Sequence, residues 1–220
     1  MKKVMTLMIT LALLFTMAAC SNQNASQSED PSSSAPQSSE PTSESSQAPF
    51  ETPSSEPEDS AAKALVVYFS WSGNTESVAN EIVAQTGADV FEITPATPYT
   101  DDYDALLDIA QEEKQNDARP AISGSIENLD QYDVVYVGFP NWWGDMPMIL
   151  YSFFDAYDLS GKTVAPFVTS GGSGFSGSIN TMKTLEPDAT IADGLSLGSS
   201  QAANPGSAVT EWLSGLGLSE

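Results

Sequence analysis

A short apolar run, Ala64-Leu65-Val66-Val67-Tyr68-Phe69, leads directly into the polar loop Ser70-Trp71-Ser72-Gly73-Asn74-Thr75. Apolar runs of this length that end at serine and glycine are typical of parallel strands buried on both faces. Residues 74–85 then carry apolar side chains at helical spacing, and Gly87 provides a helix end. This stretch predicts a buried strand, a polar loop and a helix, in that order.

The same pattern repeats along the following residues. Further strands are predicted at residues 89–93, 133–139, 163–169 and 190–195, and further helices at residues 102–116, 145–157, 178–185 and 208–216. Asp101 or Asp102 is the predicted cap of the first of these helices. Strands that alternate with helices predict a parallel sheet with helices on both faces and right-handed crossovers. We therefore predict a three-layer α/β fold whose five parallel strands have the order 2-1-3-4-5.

Three loops differ from ordinary connections in their composition. Residues 70–75, 140–145 and 170–175 are rich in hydroxyl, tryptophan and glycine residues, and they follow the first, third and fourth predicted strands. Ligands of open parallel sheets bind beyond the carboxyl ends of the strands, where the strand order reverses. Because the order 2-1-3-4-5 places these strands side by side, we predict that the three loops form one ligand site.

The first loop has the composition of an anion site. Ser70, Ser72, Asn74 and Thr75 can donate hydrogen bonds beside a helix N-terminus, whose N–H groups and dipole favour negative charge. The loop contains no lysine or arginine, and it matches neither G-x-x-x-x-G-K-[ST] nor G-x-G-x-x-G. We predict an anion site made of neutral donors. The alternative is a helix capped by Ser72 after a polar turn.

The other two loops combine tryptophan with glycine. Trp142 and Trp143 lie next to Gly144 at a strand end, where indole is costly to leave in solvent. We expect one of these tryptophans to pack on the ligand and the other to cover the core, and the sequence leaves open which does which. The glycines of residues 170–174 permit the close approach of backbone to a ligand.

These motifs resemble those of flavodoxins. The first loop resembles their phosphate loop, S/T-x-S/T-G-N-T, the second is similar to the isoalloxazine loop of a small flavodoxin branch with a Trp-Trp-Gly sequence, and the third is similar to the remaining flavin loop. The resemblance spans residues 63–220 and implies a flavodoxin-like fold that binds FMN. It implies that the cofactor-binding residues are Ser70, Trp71, Ser72, Gly73, Asn74, Thr75, Pro140, Asn141, Trp142, Trp143, Gly144, Ser170, Gly171, Gly172, Ser173 and Gly174.

The resemblance has one gap, and it assigns no catalytic residue and no metal ligand. Many flavodoxins carry a tyrosine in the third loop that stacks on the outer face of the flavin. Phe175 is the nearest aromatic residue here. The second face of the ring therefore has no assigned partner from the sequence.

The first residues resemble a bacterial export signal. Lys2 and Lys3 precede an apolar run over residues 4–19, and Met17-Ala18-Ala19-Cys20 resembles a lipobox. We therefore predict a signal peptide at residues 1–19 and lipidation at Cys20; the alternative is an uncleaved signal anchor. Residues 20–62 are dominated by Ser, Pro, Glu and Gln, which predicts a disordered tether between the membrane and the domain at residues 63–220.

Composition excludes several kinds of chemistry. The chain has no histidine and one cysteine, so a Ser-His-Asp or Cys-His catalytic group, a disulfide within the chain and a cysteine metal cluster are excluded. Its 30 acidic and 7 basic residues give a formal net charge of −23, which argues against nucleic-acid binding and favours a partner with a basic face.

The sequence thus predicts an FMN-binding, membrane-anchored lipoprotein that acts in extracytoplasmic electron transfer with a redox partner protein. An electron carrier is favoured over an enzyme. Two alternatives remain: an FMN-dependent NAD(P)H or quinone reductase, and a flavin-free binding lipoprotein on the same scaffold.

Overall fold

The structure is a computed structural model that describes residues 62–217. The predicted signal peptide, the predicted lipidation site Cys20 and all of the predicted tether except Ala62 lie outside the described residues. Within residues 62–217, no helix combines the length and the apolar character needed to cross a membrane.

The described residues form eight strands and six α-helices. The strands are β1 (Ala64–Tyr68), β2 (Asp89–Glu92), β3 (Thr94–Pro95), β4 (Ile122–Ser123), β5 (Val134–Pro140), β6 (Thr163–Ser170), β7 (Thr190–Ile191) and β8 (Leu195–Gly198). The helices are α1 (Asn74–Thr86), α2 (Tyr103–Gln115), α3 (Met148–Ala156), α4 (Ser178–Leu185), α5 (Ser199–Ala202) and α6 (Gly206–Leu216), with a 3-10 turn at Leu129–Gln131.

The main sheet is parallel throughout. β1 lies between β2 and β5, and β6 lies on the far side of β5. Val66 of β1 is in register with Val90 of β2 and with Tyr136 of β5. β7 and β8 both pair with β6 and share the fifth position of the sheet. The predicted flavodoxin-like fold with the strand order 2-1-3-4-5 is confirmed.

The fifth strand is broken, whereas the sequence predicted one continuous strand over residues 190–195. β7 pairs with the first residues of β6 and β8 with its last residues. Gly194 lies at the break, and a Cβ atom there would be 2.4 Å from the ring of Phe175. The Phe175 ring therefore occupies the space that a side chain on a continuous strand would need.

The alternation of side chains along β1 separates two cores. Leu65 and Val67 face one side of the sheet and cluster with buried residues of α3 and α4. Val66 and Tyr68 face the other side and cluster with buried residues of α1 and α6. Since all four side chains are nearly inaccessible to solvent, each contributes about 1.5–3 kcal/mol of hydrophobic stabilisation. The predicted helices on both faces are confirmed.

Helix α3 begins three residues later than the sequence predicted. Asp145 pairs with Trp142 in an antiparallel bridge, so it cannot begin a helix. Pro147 then precedes the first helical residue, with φ −58° and ψ 149°. Proline disfavours helical geometry in the residue before it, here Met146, and the extended ψ of Pro147 makes it the N-cap of a helix that starts at Met148. Of the two predicted caps of α2, Asp102 is the one whose side chain accepts the Ala105 N–H.

The small antiparallel pair of β3 and β4 was not predicted. Thr94 pairs with Ser123 and Pro95 with Ile122. Each strand has only two residues, which is too short to produce an alternating pattern. The pair joins the connection after β2 to the segment after α2.

Candidate cofactor site

The three predicted loops border one cavity. β1, β5 and β6 are neighbours in the sheet, and the residues at their carboxyl ends line a cavity of about 420 Å³, within the range typical of small-molecule sites. Most predicted site residues line it: Trp71, Ser72, Asn74, Pro140, Asn141, Trp142, Trp143, Gly144, Ser170, Gly171 and Ser173. Ser70, Gly73, Thr75, Gly172 and Gly174 are not among the lining residues.

A second, more open depression of about 620 Å³ lies between α1 and the start of α6. It is lined by Glu76, Glu81 and small or amide residues, with no aromatic side chain among the described residues that border it. A shallow acidic surface offers a planar or anionic ligand little to bind. The cavity between the three loops is therefore the better candidate site.

The first loop leaves the N-terminus of α1 uncapped. Gly73 occupies the N-cap position with φ +83°, and no side chain accepts a hydrogen bond from the first turn. The Asn74 side chain instead donates to Ser72 Oγ over 3.2 Å. Because the first N–H groups of a helix have no partner inside the helix, they remain available to an anion. The alternative in which Ser72 caps this helix is not what the structure shows.

Two hydroxyls of the first loop are buried behind the cavity. Thr75 is 1% exposed, and its Oγ1 lies 2.8 Å from Oγ1 of Thr169 at the end of β6. The Ser70 hydroxyl is shielded from solvent and has no hydrogen-bond partner among the described residues. Leaving a buried hydroxyl without a partner costs about 1–3 kcal/mol.

The two adjacent tryptophans of the second loop occupy different environments. The Trp142 ring packs edge-on against Phe69 and Tyr99, at centroid distances of 5.4 and 5.3 Å, and joins the core on the α3 side of the sheet. Trp143 is 47% exposed. Its indole N–H donates to the Leu107 carbonyl of α2 over 3.1 Å. The structure thus places Trp142 over the core and Trp143 at the mouth of the cavity.

Trp143 also has a strained backbone. It adopts φ +53° and is followed by Gly144 with φ +77°, inside a two-residue hairpin closed by hydrogen bonds between Trp142 and Asp145. Positive φ at both central residues is what a type I′ turn requires. For a non-glycine residue this conformation costs about 1–2 kcal/mol. Strain of this kind is concentrated at functional sites, which supports this loop as part of one.

The third loop is folded around Ser170. Its hydroxyl accepts the N–H groups of Gly172 and Gly174, over 3.2 and 3.0 Å, so the loop curls back over the end of β6. The Gly174 carbonyl in turn accepts the side-chain N–H of Asn141, over 2.8 Å. This bond ties the second and third loops together at the edge of the cavity.

The structure shows which aromatic side chains, apart from the tryptophans, border the cavity. Phe175 does not line the cavity, because its ring packs against Phe139 and covers Gly194. A different aromatic side chain borders the cavity: Tyr103, 60% exposed, whose ring centroid lies 6.1 Å from that of Trp71.

The sequence did not predict the α2 wall of the cavity. Tyr103, Leu106, Leu107 and Ala110 all line it, as do Thr169 and Ser199. The α2 residues have the spacing i, i+3, i+4 and i+7, which marks one helix face. The spacing alone could not have identified this wall, because a core face and a ligand-binding face have the same periodicity.

The described residues that line the cavity carry no charged side chain. Next to Trp142, the Tyr99 hydroxyl donates to Glu113 over 2.9 Å. Burial raises the pKa of the Glu113 carboxyl against the opposing effect of this hydrogen bond, and burial also raises the pKa of Tyr99. The wall thus presents hydrogen-bond donors and aromatic rings, and Tyr103 is the one of its described lining residues whose side chain could take part in general acid–base catalysis.

Comparison with solved structures supports this reading of the fold. A protein from Bacteroides eggerthii described as a candidate flavoprotein is 36% identical, with a TM-score of 0.64 and coverage of 71% of this chain and 98% of its own. A similarly described protein from Bacteroides uniformis is 32% identical, with a TM-score of 0.63 and coverage of 70% and 99%. A flavoprotein from Lactobacillus acidophilus, solved in complex with FMN, is 23% identical, with a TM-score of 0.55 and coverage of 67% and 99%.

Comparison with curated proteins gives no match. The family model described as flavodoxin matches residues 63–216, which include every strand and helix of the main sheet and its two flanking layers. The match contains all three loops of the cavity. The chain belongs to the flavodoxin family.

Proposed function

We propose that this chain binds FMN in the cavity between the three loops and acts as an extracytoplasmic electron carrier. The observation that carries the proposal is that an uncapped helix N-terminus and exposed aromatic side chains border the same cavity of about 420 Å³. FMN combines a phosphate group with a planar ring. The helix N-terminus suits the phosphate group, and the aromatic side chains suit the ring. When bound, FMN supplies the redox chemistry, and the protein orients it and sets its surroundings.

The α1 end of the cavity suits the phosphate. The hydrogen-bond donors here are the free N–H groups of the first turn, the Ser72 hydroxyl and the Asn74 amide. All of these donors are neutral. Thr75 supports this end from behind, because its bond to Thr169 fixes α1 against the end of β6.

The other end suits the ring. Trp143 at the mouth, Tyr103 on α2 and the glycine backbone of the third loop provide flat or closely approachable surfaces. Stacking on an aromatic side chain adds about 0.5–1.5 kcal/mol to the stabilisation from buried area. The Lactobacillus acidophilus flavoprotein, which shares the fold and was solved with FMN, supports FMN as the ligand of this chain.

The types of residue that line the cavity favour electron transfer over an enzymatic reaction. The described residues around the cavity include no basic side chain that could bind the phosphates of NAD(P)H. The formal net charge of −23 also favours a redox partner with a basic face.

The N-terminal sequence supports an extracytoplasmic location for the proposed activity. With Cys20 lipidated, residues 20–62 would tether the domain to a bacterial membrane. Expression of the full chain with a labelled fatty acid tests this point. We expect the label on the wild type and its absence on Cys20→Ala, which should also leave the membrane fraction; an unlabelled wild type would contradict lipidation.

A titration with FMN and riboflavin tests the cofactor proposal. We expect quenching of flavin fluorescence on binding to the wild type. Ser72→Ala should weaken FMN binding about fivefold to tenfold, as the loss of one hydrogen bond predicts, and should leave riboflavin binding unchanged. Ser207→Ala, at the start of α6 and outside the cavity, is the matched control. A wild type that binds no FMN at micromolar concentration would leave only the flavin-free alternative.

Stopped-flow reduction separates the carrier from the reductase. We expect added NADH or NADPH to reduce the FMN-loaded protein slowly, over minutes or longer, because the cavity offers no cationic contact for the nucleotide. Rapid, saturable reduction by either nucleotide would favour the NAD(P)H reductase. Rapid reoxidation of the reduced protein by an added quinone would favour the quinone reductase.

A further inference from the structure

The strained conformation of Trp143 requires contacts that impose it. Among the described residues, four non-glycine residues have positive φ: Asp117, Asn128, Trp143 and Ser176. Asparagine and aspartate tolerate this region well, whereas a bulky aromatic residue does not. The surroundings of Trp143 must therefore hold it in place.

One set of contacts holds the turn from the side of α4. The Gly144 N–H donates to Asn141 Oδ1 over 3.1 Å, and the Gly144 carbonyl accepts the Gly177 N–H over 3.0 Å. These bonds fix the backbone on either side of Gly144. They do not contact the Trp143 indole or its carbonyl oxygen.

Helix α2 holds Trp143 itself, at both ends of the residue. Lys114 Nζ donates to the Trp143 carbonyl over 2.7 Å, and the Trp143 indole N–H donates to the Leu107 carbonyl over 3.1 Å. Lys114 and Leu107 are seven residues apart on α2 and therefore lie on the same face, two turns from each other. Together they fix both the carbonyl and the ring.

Among the described basic residues, Lys114 is distinguished by the residue that its ammonium group contacts. Lys63 and Arg119 form ion pairs with carboxylates, and Lys162 is buried against the Tyr132 carbonyl. None of the ion pairs found among the described residues includes Lys114. Its ammonium group instead contacts a carbonyl of a residue that lines the cavity. If Lys114 only interacted with the C-terminal dipole of α2, its ammonium group would not need to contact Trp143.

We propose that Lys114 is the positioning residue of the candidate site: by binding the Trp143 carbonyl, it holds the strained turn so that the indole stays at the mouth of the cavity. The proposal rests on the proposed binding of FMN for its functional consequence. Its structural consequence, the fixed position of the Trp143 ring, can be measured without any cofactor.

The variant Lys114→Met tests the proposal, since methionine retains an unbranched chain and loses the charge and the donor. Without cofactor, we expect a weaker near-ultraviolet circular dichroism signal from a mobile Trp143 ring. With FMN, we expect about tenfold weaker binding. Lys114→Arg, which can donate to the same carbonyl, should restore most of both signals. Lys183→Met, which removes a lysine from the last turn of α4, is the matched control and should change FMN affinity by less than about twofold.

A double-variant comparison separates positioning from a general loss of stability. In a Trp143→Ala background, Lys114→Met should change FMN affinity by less than about twofold, because the ring that Lys114 positions is absent. An equal loss of affinity in both backgrounds, or a Lys114→Met protein with wild-type circular dichroism and wild-type FMN affinity, would overturn the proposal. If the wild type binds no FMN, the proposed function fails, and the circular dichroism comparison still decides the role of Lys114.

Discussion

At the scale of single residues, Trp142 and Trp143 show how neighbours of identical chemistry take different roles. Trp142 packs between Phe69 and Tyr99 in the core, and Trp143 is about half exposed in a strained conformation. We expect Trp142→Ala to lower the free energy of unfolding by about 2–4 kcal/mol, since it leaves a cavity among aromatic rings. Urea unfolding of the cofactor-free protein measures this change.

The strain at Trp143 predicts an unusual order of stability among its variants. Because glycine adopts positive φ without steric cost, Trp143→Gly should be more stable than Trp143→Ala by about 1 kcal/mol. At most exposed positions glycine is the less stable of the two. The same urea experiment checks this, with Ser207→Gly and Ser207→Ala in the first turn of α6 as the control pair. An alanine variant that is as stable as the glycine variant would contradict the strain.

Glu186 is a buried carboxylate outside the candidate site. It is 6% exposed, and burial raises its pKa, opposed by the hydrogen bond from the Leu159 N–H and assisted by nearby Asp158. A carboxyl group whose pKa is raised on folding destabilises the fold progressively as pH rises through its folded pKa. We expect Glu186→Gln to have a higher Tm than the wild type at pH 8, with the difference disappearing at pH 4. Glu211→Gln, an exposed change on α6, should show no such trend.

At the scale of elements, the contact between β5 and β6 depends on one glycine. Gly138 is in register with Phe167, and a Cβ atom at Gly138 would lie 2.0 Å from the Phe167 ring. We expect Gly138→Ala to destabilise the protein by about 1–3 kcal/mol through overpacking. Adding Phe167→Leu to Gly138→Ala should recover part of the lost stability. If the stability changes of the two single variants simply add in the double variant, the contact between these residues is contradicted. Thermal unfolding of the two single variants and the double variant measures the coupling.

A helix or strand could be predicted from the sequence where the residues that determine it lie within the element itself. The apolar run before Ser70 was enough to predict β1 and its loop, because the apolar pattern of a strand buried on both faces lies within the strand itself. The break between β7 and β8 depends on the Phe175 ring, which arrives from another loop. The sequence did not predict that α2 forms a wall of the cavity. The helical spacing of Tyr103 and Leu106 is the same for a helix face that packs on the core and for one that lines a cavity. The type I′ turn at Trp143 could not be predicted because tryptophan is an improbable residue there.

At the scale of the whole molecule, the excess of acidic residues shapes both stability and association. With 30 acidic and 7 basic residues, most carboxylates have no basic partner, and repulsion between them opposes the compact state. Helix α2 concentrates this charge next to the cavity, since Asp104, Asp108 and Glu112 are all exposed on it. A basic partner that docks there would relieve the repulsion on binding, and its association rate should fall as ionic strength rises.

The pair of Asp108 and Glu112 allows this repulsion to be tested within one helix. Like charges at i and i+4 destabilise a helix by about 0.2–0.5 kcal/mol, and here both are exposed. We expect the double variant Asp108→Asn, Glu112→Gln to raise Tm by about 0.5–2 °C in 20 mM salt, a range that follows from the usual relation of free energy to Tm. In 0.5 M NaCl the gain should vanish, because salt screens exposed charges beyond a few ångströms. A gain that is the same at both salt concentrations would assign the effect to helix propensity or packing, and not to charge.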